Sequence, residues 1–564
     1  MAFKRSAVRS RLSTKKGALQ NARSEKIRRE AGPQGLASRP ICAKIELMRN
    51  NLKTQDQFKT YERNGQLVIA LDCEIKIPEN APVRLLSELL EELDYEALYH
   101  AYSPYGRKSA ADPRVMFAVL VYGYMRGIYA SRKLEEACRY HVDFIWLRGD
   151  EKVPNHSTLA RFRTGRCKEV IADLFYQLVS KLEEKGEVDH QTVFIDGTKI
   201  ESRAGRYTFN WRGTAEKGVA KAKAEAEAYG FQDREAFRKY LEEQKAEIEF
   251  IRGTGHRKSE AQKQWETQDK VCSNWEKYAE QLEIMGDGRN SYSKTDPDAT
   301  FMRLKEDHMK NGQLKPAYNL QLAVNSEYIT GCELFSDRSD VKTLRPFLKE
   351  MEKQQHSRYE EVVADAGYES LENYLYLEAN GQTCFIKPTN YDSKKTKKFK
   401  AQIGRLENMG DDEAEDCYIC AEGRRLSLRR ESSQLVEDQR VSTAWYRCES
   451  CAGCSRCAEC CRAMDPDQPK ELCVKRTFGE KRKQATENIT SPKGIQLRMC
   501  RSIQAEGAFA LLKNDFGFRR FITWGRANVR TEMFLYAFAF DVKKYWMKRE
   551  HGRLQTRVSE KMTA

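Results

Sequence analysis

Two short apolar runs that each end in an aspartate constrain this chain more than any other feature. Thr192-Val193-Phe194-Ile195 leads into Asp196-Gly197-Thr198, and Val362-Val363-Ala364 leads into Asp365-Ala366-Gly367-Tyr368. Both runs read as buried strands. A carboxylate at such a position either opens a turn or has lost much of its water and needs a partner or a cation. A third acid, Glu506, lies in a stretch that predicts a helix with Phe509, Leu512 and Phe516 on its apolar side. Two strand-end aspartates and one helical glutamate can converge on a pair of divalent ions, which sit roughly 3.5–4 Å apart in enzymes that break phosphodiesters.

The rest of the chain divides by composition. Lys and Arg number 98 against 83 Asp and Glu, a net charge of +15 that favours a polyanionic partner. No run of about 18 apolar residues is present, so no membrane span is expected. Residues 1–40 predict a disordered basic arm, either following DNA phosphates or simply solvated. Residues 41–185 read as short helices joined by tight turns. They suit a helix-turn-helix-like DNA reader carrying Arg161 and Arg163, or an ordinary packing domain. Arg203, Arg206 and Trp211, and later Arg519, Arg520 and Trp524, interleave cations with aromatics, as a surface for phosphates and unstacked bases does. The same aromatics also fit a core edge.

Residues 212–290, rich in Ala, Glu and Lys, predict a helical hairpin that turns at Gly253-Thr254-Gly255. Tyr318, Leu320, Leu322 and Val324 alternate with Asn319, Gln321 and Ala323, the pattern of a half-buried strand, and pair with 328–334 as a hairpin. Helices at 341–355 and 369–379 alternate with the Asp365 strand and the strand 383–386. Nine of the 17 cysteines fall within 417–473, several spaced by two residues. That spacing gives the bite of a tetrahedral zinc, in a segment expected to be too polar for a core of its own.

Asp196-Gly197-Thr198, Asp365-Ala366-Gly367-Tyr368 and Glu506-Gly507-Ala508-Phe509 with Lys513 together resemble the signature of DDE transposases of bacterial insertion sequences. Tyr122-Gly123-Tyr124 and Gly517-Phe518-Arg519-Arg520-Phe521 are similar to that family too. The resemblance implies an α/β fold with a ribonuclease H-like catalytic core at 186–400 and 490–548. It adds a helical N-terminal DNA-binding domain, a helical insertion, a Cys-rich zinc-binding insertion at 401–489 and a tail at 549–564. Asp196, Asp365 and Glu506 would hold two Mg²⁺, with Mn²⁺ able to substitute, and Lys513 would reach a phosphate. Related chains match Cys420, Cys451, Cys454 and Cys460 as zinc ligands, with Cys417, Cys448, Cys457 and Cys461 as alternates here. In part of the superfamily a Tyr and an Arg precede the Glu by seven and four residues. This chain has Met499 and Ser502 there, and Arg501 is one residue off.

The implied function is cleavage at the element ends and joining of the 3′-hydroxyl to target DNA. The enzyme would act as a homodimer or higher oligomer on double-stranded DNA, in the cytoplasm at the nucleoid. The alternatives are a domesticated, catalytically silent DNA-binding protein and a nuclease without strand transfer.

Overall fold

A computed structural model describes residues 76–102, 109, 111–251, 257–304, 312–436, 439–461 and 468–556. The basic arm, the Gly253–Gly255 turn and the last eight residues of the tail lie outside the described residues. The structure is a mixed α/β assembly built on one six-stranded sheet.

That sheet comprises β1 (Thr192–Glu201), β2 (Thr300–Arg303), β3 (Leu314–Asn325), β4 (Tyr328–Phe335), β5 (Glu361–Ala364) and β6 (Thr383–Ile386). β1 is central, antiparallel to β3 and parallel to β5, and β6 lies parallel outside β5. β2 and β4 share the far edge of β3, one beyond the other. Ser326 and Glu327 take positive φ, which closes the tight β3–β4 hairpin. The strand β3 is buried on both faces rather than half-buried, with Asn319 and Gln321 at 0 % exposure. Its polar residues are therefore buried too, and need partners.

The helical region begins with Pro82–Glu91, where proline occupies the first turn and Leu85, Leu86, Leu89 and Leu90 are buried. Asp112 caps Pro113–Met125, accepting from the Arg114 amide at 2.8 Å. That helix is apolar on all sides and buried along nearly its whole length, so it requires cover all round. The long helix Arg526–Glu550 supplies part of it. Phe117 meets Phe538 edge-on at 5.4 Å, and Phe175 of the helix Arg166–Glu184 lies 5.3 Å from Phe534. One hydrophobic core thus runs from the helical region through the β3–β4 hairpin to Arg526–Glu550. Deep in it, Lys548 and Glu187 pair at 2.8 Å, and Tyr328 donates to the same carboxylate at 2.9 Å.

The insertion after β1 holds three described helices, Arg212–Ala228, Arg234–Glu247 and Glu260–Met285, where a hairpin of two was expected. The break falls at Tyr229-Gly230, where Gly230 takes φ +88°, and Asp233 caps the helix that follows. A separate small core of Ala222, Ala226, Phe237, Leu241 and Trp275 joins them. Gly218 is required there because a Cβ would lie 2.5 Å from the Tyr278 ring.

The Cys-rich insertion forms a five-stranded antiparallel sheet dominated by the hairpin Arg425–Val436 and Gln439–Cys448. It does have a core, contrary to expectation: Leu426, Ala444, Tyr446, Cys448 and Val474, with Cys420 and Cys451 packed against it. Alternate residues of one hairpin strand face inward, which a polar composition conceals.

Candidate active site

The parallel register of β1 and β5 pairs Ile195 with Ala364, so the next residues, Asp196 within β1 and Asp365 just past the end of β5, lie side by side. β5 ends there while β1 continues to Glu201, which opens a crevice beyond the end of β5. Each aspartate is tied to its own turn. The Gly197 amide donates to Asp196 Oδ1 at 2.8 Å, and the Gly367 amide donates to Asp365 Oδ1 at 2.7 Å. Both carboxylates line one pocket, with Lys199, Arg303, Lys513 and Arg519 among its basic walls.

Glu506 approaches from the helical side. The helix Pro492–Arg501 passes into a π-turn at Ser502–Glu506, and a second π-turn spans Leu511–Asp515. A regular α-helix was expected through this stretch. A π-turn admits one extra residue per turn, so positions five apart come to share a side. Arg501, five residues before Glu506, accordingly bridges the acids: its guanidinium lies 3.3 Å from Asp196 Oδ2 and 3.5 Å from Glu506 Oε1. Ser502 Oγ adds a hydrogen bond to Glu506 at 3.2 Å. Phe509, Leu512 and Phe516 are buried, as the apolar pattern predicts.

A fourth acid, Asp340, was not singled out from sequence. It lines the same pocket and accepts from Asn319 Nδ2 at 2.7 Å and Gln321 Nε2 at 3.2 Å. Tyr368 donates to Gln321 Oε1 beneath it. Burial, with the fields of Asp340, Asp196 and Asp365, pushes the Tyr368 phenol well above its ordinary range, while Arg501 pulls it down. The donor set is all carboxylate oxygen, which suits a hard ion such as Mg²⁺ or Mn²⁺.

The basic and aromatic candidates divide. Arg161 is exposed, whereas Arg163 is 5 % exposed and donates to the Tyr129 carbonyl at 2.9 Å. Arg163 is therefore a packing residue and not part of a DNA-facing surface: its side of the helix His156–Thr164 carries Leu159 and Phe162 into the core. Arg203 lies 5.2 Å over the ring of Trp524, which is 56 % exposed. Arg520 donates to the carbonyls of Ser202, Arg203 and Ala204, and Arg206 pairs with Glu201 at 2.8 Å. Trp211 packs with Phe209 and Phe301. Arg519 is exposed at the pocket wall.

In the Cys-rich sheet, Cys448 ends one hairpin strand and its thiol donates to the Ser450 carbonyl at 3.3 Å. Burial first, and then the fields of Cys451 and Cys420, raise its thiol to about 11. The Lys470 amide donates to Cys451 Sγ at 3.2 Å, and Lys470 Nζ donates to the Cys460 carbonyl at 2.8 Å. Cys460 lies within the fields of Cys420, Cys451 and Cys461, and Cys457 within those of Cys451, Cys461 and Cys454. Among the described residues, the grouping whose candidate ligand atoms all lie within 4.8 Å of one another is instead Asp412, Glu415 and Cys417. No helix among the described residues is long and apolar enough to cross a membrane.

Residues 71–165 match a family described as a transposase domain (DUF772), and residues 419–546 match one described as a transposase DDE domain. No curated protein and no solved structure matches the chain. The second match covers Arg501, Glu506 and Lys513, while Asp196 and Asp365 lie between the two matched stretches. With one match over the helical region and the other running from the Cys-rich sheet to the last long helix, the two matches together support a DDE-type transposase of an insertion-sequence family.

Proposed function

We propose that Asp196, Asp365 and Glu506 are the acidic triad of this transposase, which cleaves phosphodiesters at the element ends and joins the 3′-hydroxyl to target DNA. The observation that carries this is the Ile195–Ala364 register, which sets Asp196 of β1 beside Asp365 at the end of β5, with Arg501 linking Glu506 to the first of them. The strand order, an antiparallel hairpin beside a central strand followed by two parallel strands, supports a ribonuclease H-like reading. Two Mg²⁺ ions bound by these carboxylates would activate the attacking oxygen and stabilise the leaving one.

The chain's own residues do the rest. Lys513 and Arg519 on the pocket wall supply positive charge for the scissile phosphate and its neighbour. Arg501 keeps the exposed Glu506 directed at Asp196. Arg203, stacked on Trp524 and joined through Arg520 to the turn after β1, offers a cation and an aromatic face to a frayed DNA end. In the Cys-rich sheet a structural zinc is assigned to Cys420, Cys451 and Cys460. The fourth thiol is Cys454 or its alternate Cys448, which packs in the same small core as Cys420 and Cys451. Action as a homodimer or larger oligomer on double-stranded DNA, at the nucleoid, belongs to the same proposal.

The test uses the full chain with its terminal inverted repeats, read from the DNA flanking the gene. Asp196→Asn, Asp365→Asn and Glu506→Gln should each bind the repeats and neither cleave nor join them. Mg²⁺-dependent cleavage by Glu506→Gln would remove the triad. Cleavage without joining by the unaltered protein would make it a nuclease.

A further inference from the structure

Asp340 is held by a buried polar lattice. Asn319 and Gln321 project from β3 at 0 % exposure, and both amides donate to Asp340 Oδ1. The Gln321 amide has no freedom to reverse: its oxygen accepts from Tyr368, and its nitrogen also donates to Asn319 Oδ1 at 3.1 Å. Three fully buried side chains therefore fix one carboxylate oxygen. Burying amides is costly unless they are hydrogen-bonded, so such a lattice is not incidental.

The glycines of both aspartate motifs make room for it. A Cβ on Gly197 would lie 2.5 Å from Gln321 Nε2, 3.0 Å from Asp340 Oδ1 and 3.0 Å from the Tyr368 hydroxyl. A Cβ on Gly367 would lie 2.9 Å from Asp365 Oδ1 and 3.5 Å from Asp340 Oδ2. Asp340 Oδ2 thus points at the Asp365 turn, and it has no hydrogen-bond partner among the described residues.

We infer that Asp340 is a fourth carboxylate of the acidic pocket, a positioning residue whose charge and free oxygen, beside Asp196 and Asp365, strengthen its hold on divalent cations. This rests on the triad reading above. Removing such a supporting group costs about ten- to a hundredfold in metal affinity in comparable sites.

The experiment is titration of the DNA-free full chain with Mn²⁺, followed by electron paramagnetic resonance of the free ion. Mn²⁺ suits carboxylate oxygen, whereas the thiol cluster selects softer ions. Asp340→Asn retains an acceptor for Asn319 and loses the charge. It should weaken Mn²⁺ binding about ten- to a hundredfold, with the metal-free melting temperature little changed. Should that variant not fold, Asp340→Ser is judged by the same criterion. Mn²⁺ affinity equal to that of the unaltered chain in a folded variant overturns the inference. Asp196→Asn and Asp365→Asn separate the two readings. If both bind Mn²⁺ normally, the triad itself fails. If both lose it while Asp340→Asn does not, only the role of Asp340 falls.

Discussion

Acids close together in sequence have sharply different roles here. Asp196 opens onto the pocket, but Glu201, five residues on along β1, is buried beneath Arg206, Lys315 and Arg520. Glu369, four residues past Asp365, is likewise buried and paired with Arg482 at 2.6 Å. Burial opposes its ionisation, but the bonds from Arg482 and Thr389 outweigh this and hold its carboxyl below the usual range. A lowered folded pKa contributes stability that is fully present above the unfolded value. That stability is lost as pH falls through the lower, folded one. Glu369→Gln should therefore cost about 1–3 kcal/mol at neutral pH, since it leaves the half-buried Arg482 guanidinium and Thr389 without a charged acceptor. Its stability should then fall less steeply below about pH 4.3 than that of the unaltered chain. Urea denaturation across that range checks both, and equal slopes would assign the acid-sensitive step elsewhere. Gly197 offers a sharper case. Gly197→Ala must displace Gln321, Asp340 or Tyr368, and should cost about 1–3 kcal/mol by overpacking. Nothing in an Asp-Gly-Thr string declares that its glycine is needed for space rather than for its backbone. The reason lies on β3 and on the turn after β4, far away in sequence.

Elements differ in how much of themselves their sequence declares. The apolar runs that lead into Asp196 and Asp365 are legible because burial on both faces leaves them unbroken, but β1 does not end at Asp196 and continues to Glu201. The parallel register between them then follows once they pair. The π-turn at Ser502–Glu506 has no such signal: it is one residue wider than an α-turn and carries no residue preference visible in a single chain. Without it Arg501 looks misplaced, and with it Arg501 is the cation between Asp196 and Glu506. Because that guanidinium competes with metal for the same oxygens, Arg501→Gln should raise Mn²⁺ affinity several-fold, opposite in sign to Asp340→Asn, while cleavage falls. A decrease in Mn²⁺ affinity would show that Arg501 supports the site by packing. The Cys-rich sheet was half legible. Its thiol spacing stands out, but the core of Leu426, Ala444 and Tyr446 is dispersed among charged residues. If zinc is held by Cys420, Cys448, Cys451 and Cys460, Cys448→Ser should lose the metal and speed amide exchange across 417–474, and Cys454→Ser should do neither. Metal content falling in the second variant and not the first would restore the alternative set.

At the scale of the whole molecule, the sequence suggests a chain of modules, but the structure joins the first of them to the last. Apolar periodicity places the helices that start near Pro82, Pro113, Ser131 and His156, yet periodicity within one segment says nothing of what covers it. Pro113–Met125 is the decisive element. Apolar on every side, it cannot be closed by the short helices around it and lies against Arg526–Glu550, more than 400 residues on. Phe117, Phe175 and Tyr176 each meet Phe538 or Phe534 of that helix. Each such side chain contributes roughly 1.5–3 kcal/mol when withdrawn from water. A fragment of residues 76–184 would expose all three together with the faces that meet β3 and β4. A domain of that size has only about 5–15 kcal/mol of stability to lose. The isolated fragment should therefore show no cooperative thermal transition and should bind a hydrophobic dye. Adding residues 520–556 as a separate peptide should restore part of the helical signal. A sharp, reversible melt of 76–184 alone would establish it as an independent domain and limit the shared core to a docking contact.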